Sequence, residues 1–381
     1  MPPFPDLGPS SPLAPPLFTS AVYTLPDLDA LDAISDGGAA GFIYARDGHP
    51  NAADLAAKLT ALEAAAWGVV CGTGMAALSA AFLALLDGGG KVVASNRLYG
   101  RTNKLLRSEL PRFGVATTSV DVSDLDATRE VVAAVKPKVL YAETMSNPMC
   151  RVPDLAALAE IAASNGARLV VDNTFATPVL CRPLELGAHL VMESLTKMIG
   201  GHSDVILGFL CGREPELFAG VAQVVTTWGL ASGPFDCWTA ERGLQTLELR
   251  ERQAVANAAG LADWLSSVPG VSRVVYPGRS DHPDYELAKR QFPLGCGNML
   301  CFELEGGRDA VNRFMRSAPG IPFSPSLGHV TTTISYPAGT SHRYDSPDER
   351  AGQGITDGLI RVSVGCEPLD RIAGEMAKGF A

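Results

Sequence analysis

Short apolar runs that stop abruptly at polar residues recur through the first two-thirds of the chain. The clearest are Leu169–Val171, followed by Asp172, Asn173 and Thr174, and Leu190–Met192, followed by Glu193, Ser194, Thr196 and Lys197. Such runs read as buried strands that deliver side chains to one sheet edge. Further strands are predicted at Trp67–Cys71, Lys91–Ala94, Val115–Val120 and Val139–Ala142. Between them the apolar spacing becomes helical: Ala52–Ala65, Met75 to about Leu86, Asn103–Leu110, Leu125–Val135 and Asp154–Ser164. Strands alternating with helices imply right-handed crossovers and a mostly parallel α/β sheet.

The rhythm changes after Lys197. A strand over Asp204–Leu210 and a helix over Arg213–Val225 precede a break at Thr226–Gly229 and Ser232–Pro234. A long helix over Phe235–Leu265 then opens a second region, with strands at Val274–Tyr276, Met299–Leu304, Thr331–Ser335 and Leu359–Val364. Helices there are expected at Tyr285–Gln291, Asp309–Arg316 and Leu369–Phe380. The division expected is an arm over 1–50 lying on a neighbouring subunit, a large domain over 51–234 and a smaller α+β domain over 235–381 with a partly antiparallel sheet. The arm is rich in proline and glycine and ends in GFIYARDGHPN, where Tyr44 and Arg46 alternate as on a strand.

Composition narrows the function. The net charge of −10 argues against a general nucleic-acid or anionic-membrane surface but leaves room for a local cationic pocket. The eight cysteines form no CxxC and several sit in apolar runs, as reduced thiols of a cytoplasmic protein would. The six histidines show no HExxH or HxH spacing, so no metal site is expected. The N-terminus lacks the basic start and long apolar core of a signal peptide or membrane anchor.

The carboxyl edge of an open α/β sheet is where ligands bind. Asp172 and Lys197 arrive there, with Ser194 and Thr196 beside the lysine, a set suited to a pyridine aldehyde cofactor. Gly72-Thr73-Gly74-Met75-Ala76-Ala77 places backbone N–H groups at a helix N-terminus, where a phosphate is welcome. The same stretch satisfies the dinucleotide pattern GxGxxA, but the next strand ends in Ser95 and Asn96 rather than a ribose-binding acid. An NAD-dependent oxidoreductase would rest on that stretch alone.

GTGMAA, LYGRT, ETMSNP, VVDNTFATP, SLTKMIGGHSD, ERGLQTLELR, SLG and RVSVGCE occur in this order. Together they resemble the Cys/Met-metabolism family of pyridoxal-5′-phosphate (PLP) enzymes over nearly the whole chain. The resemblance implies fold type I, the aspartate-aminotransferase-like PLP-dependent transferase fold. It implies that Lys197 is the Schiff-base lysine, Asp172 the partner of the pyridine nitrogen, and Tyr99 the aromatic stacked on the ring. Gly74, Met75, Ser194 and Thr196 would cradle the phosphate, and Asn147 and Thr174 would also contact the cofactor. Arg361, Ser326 and Asn147 would hold the substrate carboxylate. Tyr44 and Arg46 would reach the phosphate site of a neighbouring subunit, making a homo-oligomer, expected as a dimer of dimers. Glu143 and Asn173 are weaker candidates.

The resemblance further implies γ-elimination or γ-replacement on a sulfur amino acid, with cystathionine γ-lyase or γ-synthase activity preferred. Methionine γ-lyase and O-acylhomoserine sulfhydrylase are the alternatives, and a catalytically retired binding protein is a third class. Departures bear on substrate: Arg101 where glycine or cysteine is common, Met198 for tyrosine, Pro325 before Ser326, and YPAGTSH over 336–342.

Overall fold

Strand residues in the first region send alternate side chains into two cores, one on each face of a sheet. Val93, Leu140, Ala142, Leu169, Val171 and Val191 lie in one core. Val92, Tyr141, Val170, Leu190 and Met192 lie in the other. The computed structural model, which describes residues 9–86, 88–343 and 345–380, shows that sheet to hold seven strands. They are β1 (Trp67–Cys71), β2 (Gly90–Ser95), β3 (Val115–Val120), β4 (Val139–Glu143), β5 (Arg168–Asp172), β6 (Leu190–Glu193) and β7 (Gly208–Gly212). Their order is β1-β7-β6-β5-β4-β2-β3. Only β7 runs antiparallel, pairing with β1 and β6. Helices Gly74–Leu85 and Pro215–Thr227 cover one face, and Leu125–Val135 and Leu155–Ser164 the other. The α/β expectation holds.

A second, wholly antiparallel sheet follows: β8 (Val271–Val275), β9 (Met299–Leu304), β10 (Thr333–Ser335) and β11 (Leu359–Ser363), in the order β10-β11-β9-β8. Its central strand sets Arg361 between Ser335 and Cys301.

Several boundaries differ from expectation for visible reasons. The strand expected at Asp204–Leu210 begins only at Gly208, because the Leu207 N–H and carbonyl are both taken by the Thr196 hydroxyl, at 3.1 and 3.2 Å. The helix expected at Phe235–Leu265 is two, Pro234–Leu244 and Leu247–Leu265. Across the break the Gly243 carbonyl accepts from the Thr246 hydroxyl at 3.2 Å and from Arg250 at 2.7 Å. The helix expected at Asn103–Leu110 is an α turn (Gly100–Lys104), a π turn (Leu105–Glu109) and a 3₁₀ turn (Leu110–Phe113). Pro111 cannot donate into an α ladder, and its ring would strike the preceding turn. Strand β8 starts earlier than expected, and Tyr276 leaves it to donate to the Gly297 carbonyl at 3.1 Å.

Residues 1–8 lie outside the described residues. The rest of the N-terminal segment is less bare than expected, since it carries the helix Leu28–Ser35, capped by Asp27 accepting from the Ala30 N–H at 2.9 Å. The segment is also tied to its own chain: Pro15 accepts from Trp238, and Pro16 and Phe18 bond Asn51, each at 2.9 Å. Tyr44 forms an isolated bridge with Val22 rather than a strand.

Candidate active site

A cavity of about 900 Å³ opens where the carboxyl ends of β4, β5 and β6 face the second sheet. Asp172 is the last residue of β5, and its register neighbour Glu143 is the last of β4. The Thr174 N–H donates to Asp172 at 2.9 Å, and the Thr174 hydroxyl accepts from the Ser194 N–H at 2.9 Å. These bonds stitch the loops after β5 and β6 together. Glu143 accepts from the Tyr99 N–H at 2.5 Å, which fixes the segment carrying the phenol. Burial pushes the Asp172 carboxyl up, and its bonds to Thr174 restrain that rise. Burial raises Glu143 well above the usual carboxylate range, and Asp172 adds to this. The two carboxyls end adjoining strands at the cavity, where burial favours their neutral form.

Lys197 follows Ser194 and Thr196 on the loop after β6. Its Nζ donates to the Ser326 hydroxyl at 3.0 Å. Burial is the main cause of its lowered pKa, with the Arg361 charge second. The loop is held from behind. Gly328 has φ +81°, and a Cβ there would lie 2.5 Å from the Met198 nitrogen, so Ser326-Leu327-Gly328 packs directly on the Lys197–Met198 peptide. Arg250 donates to the carbonyls of Met198 (2.5 Å), Ile199 (3.0 Å) and Gly243. No role was read for Arg250 from the sequence; its place in ERGLQTLELR, within the motif series, was the available signal.

Arg361 is buried and spans the two sheets. It donates to the Asn147 side-chain oxygen at 2.8 Å and the Ser326 carbonyl at 2.9 Å. Its Nε has no partner among the described residues. Burial lowers its pKa, yet a guanidinium stays charged at any working pH. A buried fork with a spare N–H suits a carboxylate.

At the other end of the cavity, Thr73 caps the helix Gly74–Leu85 by accepting from the Ala76 N–H at 2.9 Å. Gly74 and Met75 line the cavity, and as the first two helical residues their amides have no intrahelical acceptor. Among the described residues the Ser194 hydroxyl beside them has no hydrogen-bond partner, whereas Thr196 spends its hydroxyl proton on Leu207. Free amides, a hydroxyl and a helix N-terminus suit a phosphate.

The structure therefore brings Gly74, Met75, Tyr99, Asn147, Asp172, Thr174, Ser194, Thr196, Lys197, Ser326 and Arg361 around one cavity, with Glu143. Tyr44 and Arg46 lie outside its lining, as an exposed pair with the guanidinium 5.0 Å from the ring centre. Asn173 does not face the cavity either. Its amide donates to Glu63 and Glu193 at 3.0 and 3.1 Å, behind the sheet edge. An asparagine next to a strand-terminal aspartate points to the opposite side.

A family model described as Cys/Met metabolism PLP-dependent enzyme matches residues 8–381. The chain is 39% identical to an O-succinylhomoserine sulfhydrylase from Pseudomonas aeruginosa, across 96% of this chain and 90% of that protein. It is 41% identical to cystathionine beta-lyase MetC from Bacillus subtilis, across 86% and 83%. A solved cystathionine gamma synthase from Xanthomonas oryzae pv. oryzae, in complex with cystathionine, superposes with a TM-score of 0.91 at 35% identity, covering 96% and 92%.

Proposed function

The chain belongs to the Cys/Met metabolism family of PLP-dependent enzymes, and from that premise we propose which residues perform which part of its chemistry. It is a PLP-dependent carbon–sulfur lyase or γ-synthase of sulfur amino-acid metabolism, with the fold type I architecture expected from its sequence. We read its reaction as γ-elimination or γ-replacement of the cystathionine γ-lyase or γ-synthase kind. Bound in the cavity, pyridoxal phosphate supplies an aldehyde for covalent capture and a protonated ring that acts as an electron sink.

The residues present fit that group. The free amides of Gly74 and Met75 and the Ser194 hydroxyl would hold the phosphate. Asp172 would pair with the ring nitrogen, whose positive charge offsets the burial that raises this carboxyl. Tyr99 would lie on the ring, and Asn147, Thr174 and Thr196 would complete its surroundings. Lys197 would hold the aldehyde.

The observation that carries the reading is Lys197, an amine of lowered basicity at the junction of Asp172, Tyr99 and Arg361. A neutral amine can attack an aldehyde and later accept the proton at Cα of a bound amino acid. Arg361, with Asn147 and the Ser326 carbonyl fixing its plane, would orient the α-carboxylate. The freed amine of Lys197 can carry protons between Cα and neighbouring positions, with Tyr99 near the departing γ-group.

We further propose three segments: an arm to 50, a cofactor-bearing part over 51–234, and a part over 235–381 carrying Arg361. The exposed Tyr44 and Arg46 would complete the phosphate site of a neighbouring subunit in a dimer of dimers. Eight free cysteines support a cytoplasmic setting. Among the described residues no helix is long and apolar enough to cross a membrane.

Product analysis tests the reaction. Holoenzyme given cystathionine should release cysteine, ammonia and 2-oxobutanoate. Pyruvate with homocysteine would instead assign β-elimination, and inactivity across cystathionine, methionine, cysteine and O-acylhomoserines, with a thiol acceptor present, would revive the retired-protein reading. Lys197→Ala should lose turnover and the cofactor's visible absorption together.

A further inference from the structure

Behind the sheet edge, on the side away from the cavity, sits a pair of carboxyls that the chemistry above leaves unused. Glu63 is the C-cap of the helix Pro50–Leu62, and Glu193 is the last residue of β6. Each is only 1% exposed. Their side chains lie within hydrogen-bond reach of each other. Both also accept from the one Asn173 amide nitrogen, at 3.0 and 3.1 Å, and that nitrogen serves the Cys181 carbonyl at 2.9 Å as well. An amide has two N–H groups, so three acceptors already exceed its supply. The other oxygen of each carboxyl, Oε2, has no donor among the described residues. Two buried acceptors that meet with no donor between them need a proton.

The neighbouring cations do not replace that proton. Arg182 faces Glu63 but lies 3.6 Å from Glu185, half-exposed. Arg213 gives its guanidinium to the carbonyls of Ala64 and Leu184. The other ionisable neighbours are the thiols of Cys181 and Cys211 and the carboxyl of Asp172, none of them positive. Burial raises both glutamates, and their mutual bond lowers Glu63 while raising Glu193, which puts the proton on Glu193. The pair is tied to Asp172 through one side chain. Asn173 Oδ1 accepts from the Thr144 hydroxyl at 2.8 Å, and the Thr144 N–H donates to the Asp172 carbonyl at 2.9 Å. Asp172 and Asn173 leave the chain on opposite sides, so holding Asn173 from behind holds Asp172 in front.

Resting on the reading that Asp172 pairs with the ring nitrogen, we infer that Glu63 and Glu193 share one proton and, through Asn173, position Asp172. Glu193 donates and Glu63 accepts as a carboxylate. Neither touches the cavity, so both are positioning residues. Loss of the proton leaves two buried carboxylates side by side, and their repulsion loosens the grip on Asn173. The site thus has an alkaline limit set from behind it.

Infrared difference spectra of the apoprotein count the proton without PLP. Glu63→Gln and Glu193→Gln should each remove one protonated-carboxyl band, and the double variant no more than one. Loss of two bands in the double variant, or of none in either single variant, overturns the shared proton. The positioning role is read as PLP dissociation from the holoenzyme across pH, with no substrate present. From neutral to alkaline pH the rate should rise by about tenfold in wild type and by less than about twofold in Glu193→Gln, whose amide donates to Glu63 at every pH. Glu193→Ala, which leaves Glu63 without that donor, should release PLP faster already at neutral pH. An alkaline rise as steep in Glu193→Gln as in wild type overturns the role, as does Glu193→Gln failing to take up PLP at neutral pH or Glu193→Ala holding it as wild type does. Wild type that takes up no PLP at any pH overturns the cofactor reading itself, and the infrared count is independent of that result.

Discussion

Glu251 lies in the interior of the helix Leu247–Leu265, and one of its carboxylate oxygens has no partner among the described residues. Burial raises its pKa to about 8, and the Arg250 charge offsets part of the rise. The folded protein thus holds this proton more tightly than the unfolded chain does. The stability it contributes is fully present below the unfolded pKa and is lost as pH rises through about 8. Glu251→Gln should therefore flatten the fall of Tm between roughly pH 5 and 9 and stabilise the protein at the alkaline end by on the order of a few kcal/mol. Thermal scans of both proteins across pH check this; parallel curves would show that Glu251 ionises without cost. Lys197 acts in the opposite sense: burial lowers its pKa, so the folded state binds its proton less tightly and the penalty appears as pH falls.

Among the elements, the break between Leu244 and Leu247 does the least expected work. Sequence periodicity runs through it unbroken, because Leu, Glu, Gln and Arg are all good helix formers. What accompanies the break is tertiary: the Arg250 side chain reaches from the helix Leu247–Leu265 to carbonyls on the Lys197 loop and to Gly243. Arg250→Met should keep the stem's packing yet lose those bonds. Stability should fall by about 2 kcal/mol, and PLP should dissociate faster in a dialysis assay, with Arg250→Lys recovering part of the loss. Unchanged PLP release with lowered Tm would make Arg250 a purely structural residue. The same contrast explains what was legible. Strands β1, β3 and β9 matched their expected bounds because both ends are marked by local chemistry. Asp172 and Lys197 were legible because strand ends project onto the ligand edge. The start of β7 was not, since a threonine hydroxyl eleven residues earlier (207 − 196) decides it. Asn173 was misread because facing depends on strand phase, and a run of Asp-Asn-Thr offers no apolar residue to set it.

At the scale of the whole molecule, the unresolved matter is where Tyr44 and Arg46 act. Within one chain they lie exposed, outside the cavity lining, while the preceding segment is pinned to the chain's own Asn51 and Trp238. On the proposed reading, this arm would complete another subunit's site. This makes a prediction about mixtures that no single-chain role can mimic. Arg46→Ala damages the neighbour's phosphate end, and Lys197→Ala damages a subunit's own aldehyde end. Each homo-oligomer should be nearly inactive. Co-expressed, half of the dimers are hybrids by random pairing, and each hybrid has one site with both lesions and one with neither. Activity should return to roughly a quarter of wild type, scaling with the hybrid fraction measured by mass spectrometry of the intact dimer. If Arg46 serves its own subunit, every site in the hybrid keeps one lesion and mixing restores nothing.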